Sequence, residues 1–194
     1  MDKLTRNDIL DIIEYEKVRV QLRDQVIAMK QQRRVSVGPH ITLVFENRET
    51  VLFQIEEMMR VERIVHDEQI QAELDVYNPL IPEKNELSAS LFIEITEQSQ
   101  IKRVLDGLLG IDHGEHLWLE FGENRVAAQF EAGRSSEIEI SAVHFVRFKM
   151  TPQEVRSFRS GEGGVARLSV RHQAYVASVL LTPETRATLG QDLT

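Results

Sequence analysis

The chain has 194 residues, 42% of them hydrophobic and 28% charged, which is ordinary for a single globular domain. It contains no cysteine, which excludes disulfides, a thiolate nucleophile, thiolate zinc sites and iron–sulfur clusters ligated by this chain. The opening residues, MDKLTRNDIL, lack the apolar core of a signal peptide, and no apolar run approaches the roughly 18 residues of a membrane helix. We therefore expect a cytoplasmic protein with no membrane partner.

The charge of the chain is unevenly distributed. Its net charge of −8 argues against a nucleic-acid partner, because phosphate contacts need clustered lysine and arginine. Residues 1–34 carry a net +2, residues 35–133 a net −12 and residues 134–194 a net +2. The basic ends can pack against the acidic middle and reduce its self-repulsion. Alternatively, the middle forms an acidic face that attracts a cation or a basic partner.

Helix signals dominate the first part of the chain. An apolar stripe predicts one long helix that ends in the basic run 30–34, and the stripe consists of Tyr15, Val18, Leu22, Val26 and Met29. The turn at Gly38-Pro39, between alternating apolar residues, then predicts a β-hairpin. Asn47 is placed to cap a second helix. A third, short helix has to end before Pro79.

Period-two alternation dominates the rest of the chain. It predicts strands at 87–95, 165–170 and 175–181, a longer strand from Ile138 to Phe148, and a hairpin around the turn at 122–124. Two short helices are predicted by a threonine cap followed by proline, at Thr151-Pro152 and Thr182-Pro183.

These elements predict an α+β fold, with N-terminal helices followed by a mainly antiparallel sheet with short interspersed helices. Residues 1–194 are expected to form a single α+β domain. The glycine-rich loop at 160–164 marks residues 165–194 as a candidate C-terminal subdomain.

The junction at residues 46–54 carries the candidate functional surface, which consists of Glu46, Asn47, Arg48 and Gln54. A helix N-terminus offers free backbone N–H groups and a positive dipole that can hold an anion, and Arg48 would reinforce this. Glu57 and Arg60 follow Gln54 at helical spacing and can line one wall of a pocket. In the alternative interpretation Asn47 only caps the helix, and Glu56 and Arg60 form an ordinary surface pair.

A second candidate site is the string Asp112-His113-Gly114-Glu115-His116. His113 and His116, with the neighbouring carboxylates, can supply three ligands to zinc or another divalent metal. The glycines at 110 and 114 place the string in a turn, where solvated polar residues are expected in any case. A metal-dependent enzyme that uses this His/carboxylate site is therefore the alternative function.

Several stretches of the chain resemble an uncharacterised bacterial domain family of unknown function. They are GPHITLVFENRETVLFQ at 38–54, Glu57-Met58 and Arg60, ELDVYN at 73–78 and ISAVHFVRF at 140–148, and the resemblance is most specific over 33–95. The family resembles one often encoded near rubrerythrin-like and iron–sulfur oxidoreductase-like proteins, which implies a role near peroxide or iron metabolism. It implies no catalytic residues, and its pattern has glutamine where this chain has His144.

The sequence thus favours a non-enzymatic cytoplasmic accessory or binding protein, linked through the resemblance to peroxide or iron redox metabolism. It is expected to use no cofactor, or a divalent metal in the alternative reading. The expected partners are a redox protein of the same pathway and a second copy of the chain in a homodimer.

Overall fold

The computed structural model describes residues 1–133, 135, 140–161 and 163–193. Six α-helices lie in this part of the chain, namely α1 (Ile12–Arg33), α2 (Arg48–Glu62), α3 (Asp67–Tyr77), α4 (Ile101–Leu108), α5 (Pro152–Ser160) and α6 (Pro183–Asp192). Nine strands accompany them, namely β1 (Arg34–Val37), β2 (Ile41–Glu46), β3 (Glu86–Ile93), β4 (Leu117–Phe121), β5 (Asn124–Ala127), β6 (Gln129–Phe130), β7 (Val143–Lys149), β8 (Ala166–His172) and β9 (Tyr175–Leu180). None of the helices in these ranges is both long enough and apolar enough to cross a membrane.

Side-chain caps fix where four of the helices begin. Asp11 accepts a hydrogen bond from the backbone N–H of Glu14 at the start of α1. Asn47, Thr151 and Thr182 do the same at the starts of α2, α5 and α6. Because these caps satisfy backbone donors that the helix leaves free, the sequence signals at 47, 151 and 182 predict the helix starts correctly.

The strands form two antiparallel sheets. Sheet A has the order β1-β2-β3-β7-β6, and sheet B has the order β5-β4-β8-β9. β5 runs on into β6, so residues 124–130 connect the two sheets at one edge. At the opposite edge the Tyr175 hydroxyl donates to the Val37 carbonyl at 2.6 Å and accepts from the His40 N–H at 3.1 Å. Gly38 has φ +75°, and a Cβ there would lie 2.5 Å from that hydroxyl oxygen.

Sheet A is covered on both faces. The main core fills the space between the sheets and includes Leu43, Phe45 and Leu91. A second apolar cluster, on the other side of sheet A, joins α2, α3 and the N-terminal segment through residues such as Ile55, Leu74 and Leu80. All six residues of β2 are consequently buried. The α2-facing side of sheet A is referred to below as its outer face.

The α+β prediction is confirmed. The long strand predicted from Ile138 to Phe148 appears as β7, which begins at Val143; residues 136–139 lie outside the described residues. Residues 165–193, the candidate C-terminal subdomain, supply β8, which pairs with β4, and their core side chains join the same cluster as those of sheet A.

A buried ion pair joins the first helix of the fold to the last. Arg33, at the end of α1, donates to both carboxylate oxygens of Asp192, at the end of α6, at 2.6 and 3.0 Å. Both residues are buried. Burial raises the pKa of Asp192, and the guanidinium of Arg33 opposes this shift. Two parallel hydrogen bonds fix the geometry of the contact, so this pair sets where α6 lies against α1.

We expect Arg33→Met to lower the free energy of unfolding by about 3–5 kcal/mol, because it leaves the Asp192 carboxylate buried without its partner. Urea unfolding followed by circular dichroism measures this change. Lys102→Met is the matched control, since Lys102 forms an exposed pair with Asp106 at 2.7 Å, and its effect is expected to stay below about 0.5 kcal/mol. Equal, small effects of the two substitutions would contradict the structural role of the buried pair.

Candidate functional site

A pocket of about 360 Å³ lies on the outer face of sheet A, and we call it the sheet-A pocket. Sheet residues form its floor, α2 and the end of α3 form its walls, and the junction of α1 with β1 forms its rim. Its lining combines apolar and polar side chains, namely Val44, Glu46, Ser90, Phe92, Val143 and Phe145 from the sheet, Val51 and Gln54 from α2, Tyr77 and Leu80, and Lys30 and Arg34.

Glu46 is the buried acidic group of this pocket. The residue is 8% exposed. One carboxylate oxygen accepts from the Ser90 hydroxyl at 2.6 Å, and the other accepts from the Thr50 hydroxyl at 2.5 Å. No lysine or arginine of the described chain lies within ion-pair distance of it. A buried carboxylate is normally paired with a cation, so Glu46 is an exception that calls for an explanation.

Two positively charged side chains, Lys30 and Arg34, lie at the rim of the pocket. The Lys30 ammonium group, at the end of α1, has no ion-pair or hydrogen-bond partner within the described ranges, and the same holds for the Gln54 amide and the Tyr77 hydroxyl. Arg34, by contrast, is paired with Glu94. A hydrogen bond from Thr42 and the Arg34 guanidinium together lower the pKa of Glu94. Lys30 is therefore the rim cation that stays available to a ligand.

The structure brings Glu46 and Gln54 together in the sheet-A pocket and places Asn47 and Arg48 elsewhere. The Asn47 side chain accepts from the Thr50 N–H at 2.9 Å, so it caps α2. Arg48 pairs with Asp8, and hydrogen bonds from Thr5 and Arg48 lower the pKa of Asp8 to about 2. Asn47 and Arg48 line a separate depression of about 820 Å³, whose lining also includes the Arg33–Asp192 pair. The N-terminus of α2 is thus occupied by its own neighbours.

The residues that follow Gln54 on α2 contact α1. Glu57 accepts from the Tyr15 hydroxyl at 2.7 Å and from two Arg19 nitrogens at 2.6 and 2.9 Å. These hydrogen bonds, led by that of Arg19, lower the pKa of Glu57 to about 2. Arg60 lies near Glu57 at 3.5 Å. The expectation that Glu57 and Arg60 line the same pocket wall as Gln54 is therefore wrong, since both are used to join two helices.

The predicted surface pair between Glu56 and Arg60 is also wrong. Glu56 is 3% exposed and accepts a long hydrogen bond from the Leu10 N–H at 3.3 Å. Burial raises the pKa of this carboxyl to about 6. Glu56 points toward the N-terminal segment, whereas Arg60 lies beside Glu57 and Glu16.

The histidine string lies in the turn before β4, as its glycines predict. His113 Nδ1 is 3.9 Å from an Asp112 oxygen. The ring of His116 contacts the Arg171 carbonyl through Nδ1 at 3.0 Å and stacks edge-on against His172 at 4.9 Å between centroids. Over the described residues, no group of three or more histidine or carboxylate side chains is arranged to hold a metal ion. The metal site at His113 and His116 stays a prediction without a third ligand.

Sequence reasoning missed most of the pocket. The sequence places Lys30 in a helix-ending basic run, and Ser90 is one of the polar residues between the alternating apolar residues of β3. In the structure Ser90 lies opposite Val44 on one side and Phe145 on the other. The sequence carries no signal that separates Ser88 and Ser90 of β3 from solvated strand residues, although the strand is buried at almost every position in the structure.

The fold and site define a class: an α+β protein of two antiparallel sheets with a mixed polar and apolar pocket on the outer face of one sheet. The family described as "Protein of unknown function (DUF3501)" matches residues 3–193, and the chain belongs to this family. The predicted membership of an uncharacterised family is thereby confirmed.

One solved structure is similar over the whole chain. It is described as the crystal structure of a novel protein of unknown function from Burkholderia pseudomallei K96243, and it is 34% identical with a TM-score of 0.91 and 100% coverage of both chains. A comparison with curated proteins finds no match.

The buried Glu56 makes stability depend on pH in a definable window. Its pKa is about 6 in the folded chain against a usual 4.5, so the folded state holds the additional proton between these values. Stability is therefore greatest below the lower value and falls as the pH rises through the higher one. We expect Glu56→Gln to reduce this fall, as measured by urea unfolding at about pH 4.5 and about pH 7.5.

The exposed Glu62→Gln on the same helix is the control, and it should keep the wild-type dependence. If the free energy of unfolding of the wild-type chain does not fall between about pH 4.5 and about pH 7.5, the raised pKa of Glu56 is contradicted.

Proposed function

We propose that this protein is a non-enzymatic binding or accessory protein whose ligand is a small molecule held in the sheet-A pocket. The single observation that carries the proposal is the set of polar groups on the lining of that pocket, Lys30, Gln54 and Tyr77, which have no polar partner within the described chain. In binding sites, a few polar groups point into a mostly apolar pocket and orient the ligand. Such groups are free to do so when they have no partner within the protein.

The size and composition of the pocket support the same proposal. Its volume of about 360 Å³ falls within the range of roughly 300–1,000 Å³ found for small-molecule sites. Two phenylalanines, Phe92 and Phe145, provide the apolar surface that supplies most of the binding free energy in such sites. An ammonium, an amide and a phenol recognise a ligand by charge and hydrogen bonding, which favours binding over catalysis.

The link to redox metabolism belongs to the same proposal. A chain without cysteine offers no thiol chemistry, so we propose that it acts on a redox protein as a partner or regulator in the cytoplasm. Occupancy of the sheet-A pocket would then be the state that the partner recognises.

Filling the pocket tests the binding function directly. We expect Gln54→Phe to place an apolar ring inside the sheet-A pocket and to abolish the binding of small amphipathic molecules from a fragment library. The measurement is the ¹⁵N–¹H spectrum, in which fragments should shift the backbone amides of β2, β3 and the first turns of α2.

Arg48→Ala is the matched control, because Arg48 is on the same helix but lines a different depression. It should leave the fragment shifts unchanged. Fragment shifts that persist in Gln54→Phe, or that map to the depression at Arg48, would overturn the assignment of the ligand to the sheet-A pocket.

We also propose that the chain forms a homodimer through α1. Ile13, Val20 and Ile27 recur at seven-residue spacing along this helix and are 73%, 69% and 44% exposed. The other side of α1 is buried through Tyr15 and Val26. A helix that is apolar on two sides is normally covered on both, and a repeat of seven residues is the pattern of helix pairing. A second copy would cover this stripe by a self-complementary contact.

We expect Val20→Lys to shift the chain from dimer to monomer, since it places an ammonium group at the centre of the apolar stripe. Sedimentation equilibrium measures the mass in solution. Gln25→Lys adds the same charge on the same helix away from the stripe and should leave the mass unchanged. A wild-type chain that stays monomeric at the highest concentration measured would remove the homodimer.

A further inference from the structure

The charges that line the sheet-A pocket define a pattern that a ligand has to match. Three charged side chains take part, Glu46 at the floor and Lys30 and Arg34 at the rim. Arg34 is neutralised by Glu94. One negative and one positive charge remain without an ionic partner in the described chain, at different depths of a single pocket.

The floor of the pocket accepts hydrogen bonds and holds a negative charge. The hydroxyl groups of Ser90 and Thr50 each donate a hydrogen bond to Glu46. These two neutral donors stabilise the carboxylate without cancelling its charge. The residue is 8% exposed, so little water reaches it. A cationic N–H donor placed there would gain a charge-assisted hydrogen bond in a poorly solvated environment, where such bonds are strong.

We propose that the ligand of the sheet-A pocket is a small zwitterion, with an ammonium group at Glu46, a carboxylate at Lys30 and an apolar body against Phe92 and Phe145. This inference rests on the proposed binding function and names its ligand class. A purely anionic ligand would meet Glu46 at the floor, and a purely cationic ligand would meet Lys30 at the rim. A molecule with both charges and no net charge satisfies both groups.

The probes are apolar L-amino acids, namely valine, leucine, methionine and phenylalanine, each tested by isothermal titration calorimetry. For the amino acid that binds, two derivatives isolate the two ends. The amino acid amide lacks the carboxylate, and the N-acetyl amino acid lacks the ammonium group. We expect each derivative to bind at least about tenfold more weakly than the parent, because each loses one charge-assisted contact.

Two substitutions connect each end of the ligand to one residue. In Lys30→Met the amino acid and its amide should bind equally, while the N-acetyl derivative stays weaker. In Glu46→Gln the amino acid and its N-acetyl derivative should bind equally, while the amide stays weaker. Lys17→Met is the matched control, since Lys17 is on the same helix but pairs with Glu14, and it should keep both preferences. The comparison is made within each variant, so it holds even where a substitution lowers stability.

The outcomes separate the ligand class from the binding function. If all four amino acids fail to bind, or if the derivatives bind as well as the parent, the zwitterion is overturned, while fragment shifts that Gln54→Phe abolishes would still support a pocket ligand. If fragments also fail to shift the pocket amides, the binding function itself is overturned. Preferences that survive in Lys30→Met or Glu46→Gln would overturn the assignment of the ligand's two ends to these residues.

Discussion

The burial of sheet A on both faces is the constraint on which the rest of the structure depends. Because the main core covers one face and the cluster beneath α2 and α3 covers the other, β2 has no solvent-facing side. Polar side chains on the outer faces of β2 and of its neighbour β3, which is buried at almost every position, must therefore find partners within the protein or from a ligand. Thr42 finds Glu94, and Glu86 finds Arg147. Glu46 accepts hydrogen bonds only from the neutral hydroxyl groups of Thr50 and Ser90. The space beside it is the sheet-A pocket.

Local signals were sufficient for most elements, because the physics that produces them is local. Alternation of apolar residues with period two, threonine and asparagine caps and the Gly38-Pro39 turn depend on neighbours within a few residues, and the structure contains the strands, helices and hairpin that they predict. These local signals do not show which helices cover each face of a sheet. The pattern of β3 predicts a strand with one apolar face, and Ser88 and Ser90 on its other face are indistinguishable from solvated residues until α2 and α3 are placed over them.

Two of the four residues predicted for the candidate surface, Glu46 and Gln54, line the sheet-A pocket, and Asn47 and Arg48 do not. Local signals explain this result as well. The strand-to-helix junction at 46–54 is a place where polar groups concentrate, but its successive residues point in different directions. Glu46 ends a strand and faces the helical layer, Asn47 turns back to cap α2, and Arg48 reaches the N-terminal segment. Gln54 returns to the side of Glu46 after two helical turns. Lys30 joins them because α1 runs into β1, which pairs with β2 so that Arg34 lies opposite Val44, and because α1 packs on α2.

The position of Lys30 also connects the stability of the fold to the geometry of the site. The last turn of α1 lies at the rim of the sheet-A pocket, and ion pairs join this helix to α2 and α6. Arg19 pairs with Glu57 and Glu16 pairs with Arg60 on α2, and Arg33 pairs with Asp192 on α6. Lys30 lies three residues before Arg33, so the buried pair with Asp192 is about one helical turn from the rim cation. The placement of Lys30 relative to Glu46 therefore depends on the contact of α1 with α6 and on the pairing of β1 with β2, as well as on the pocket residues.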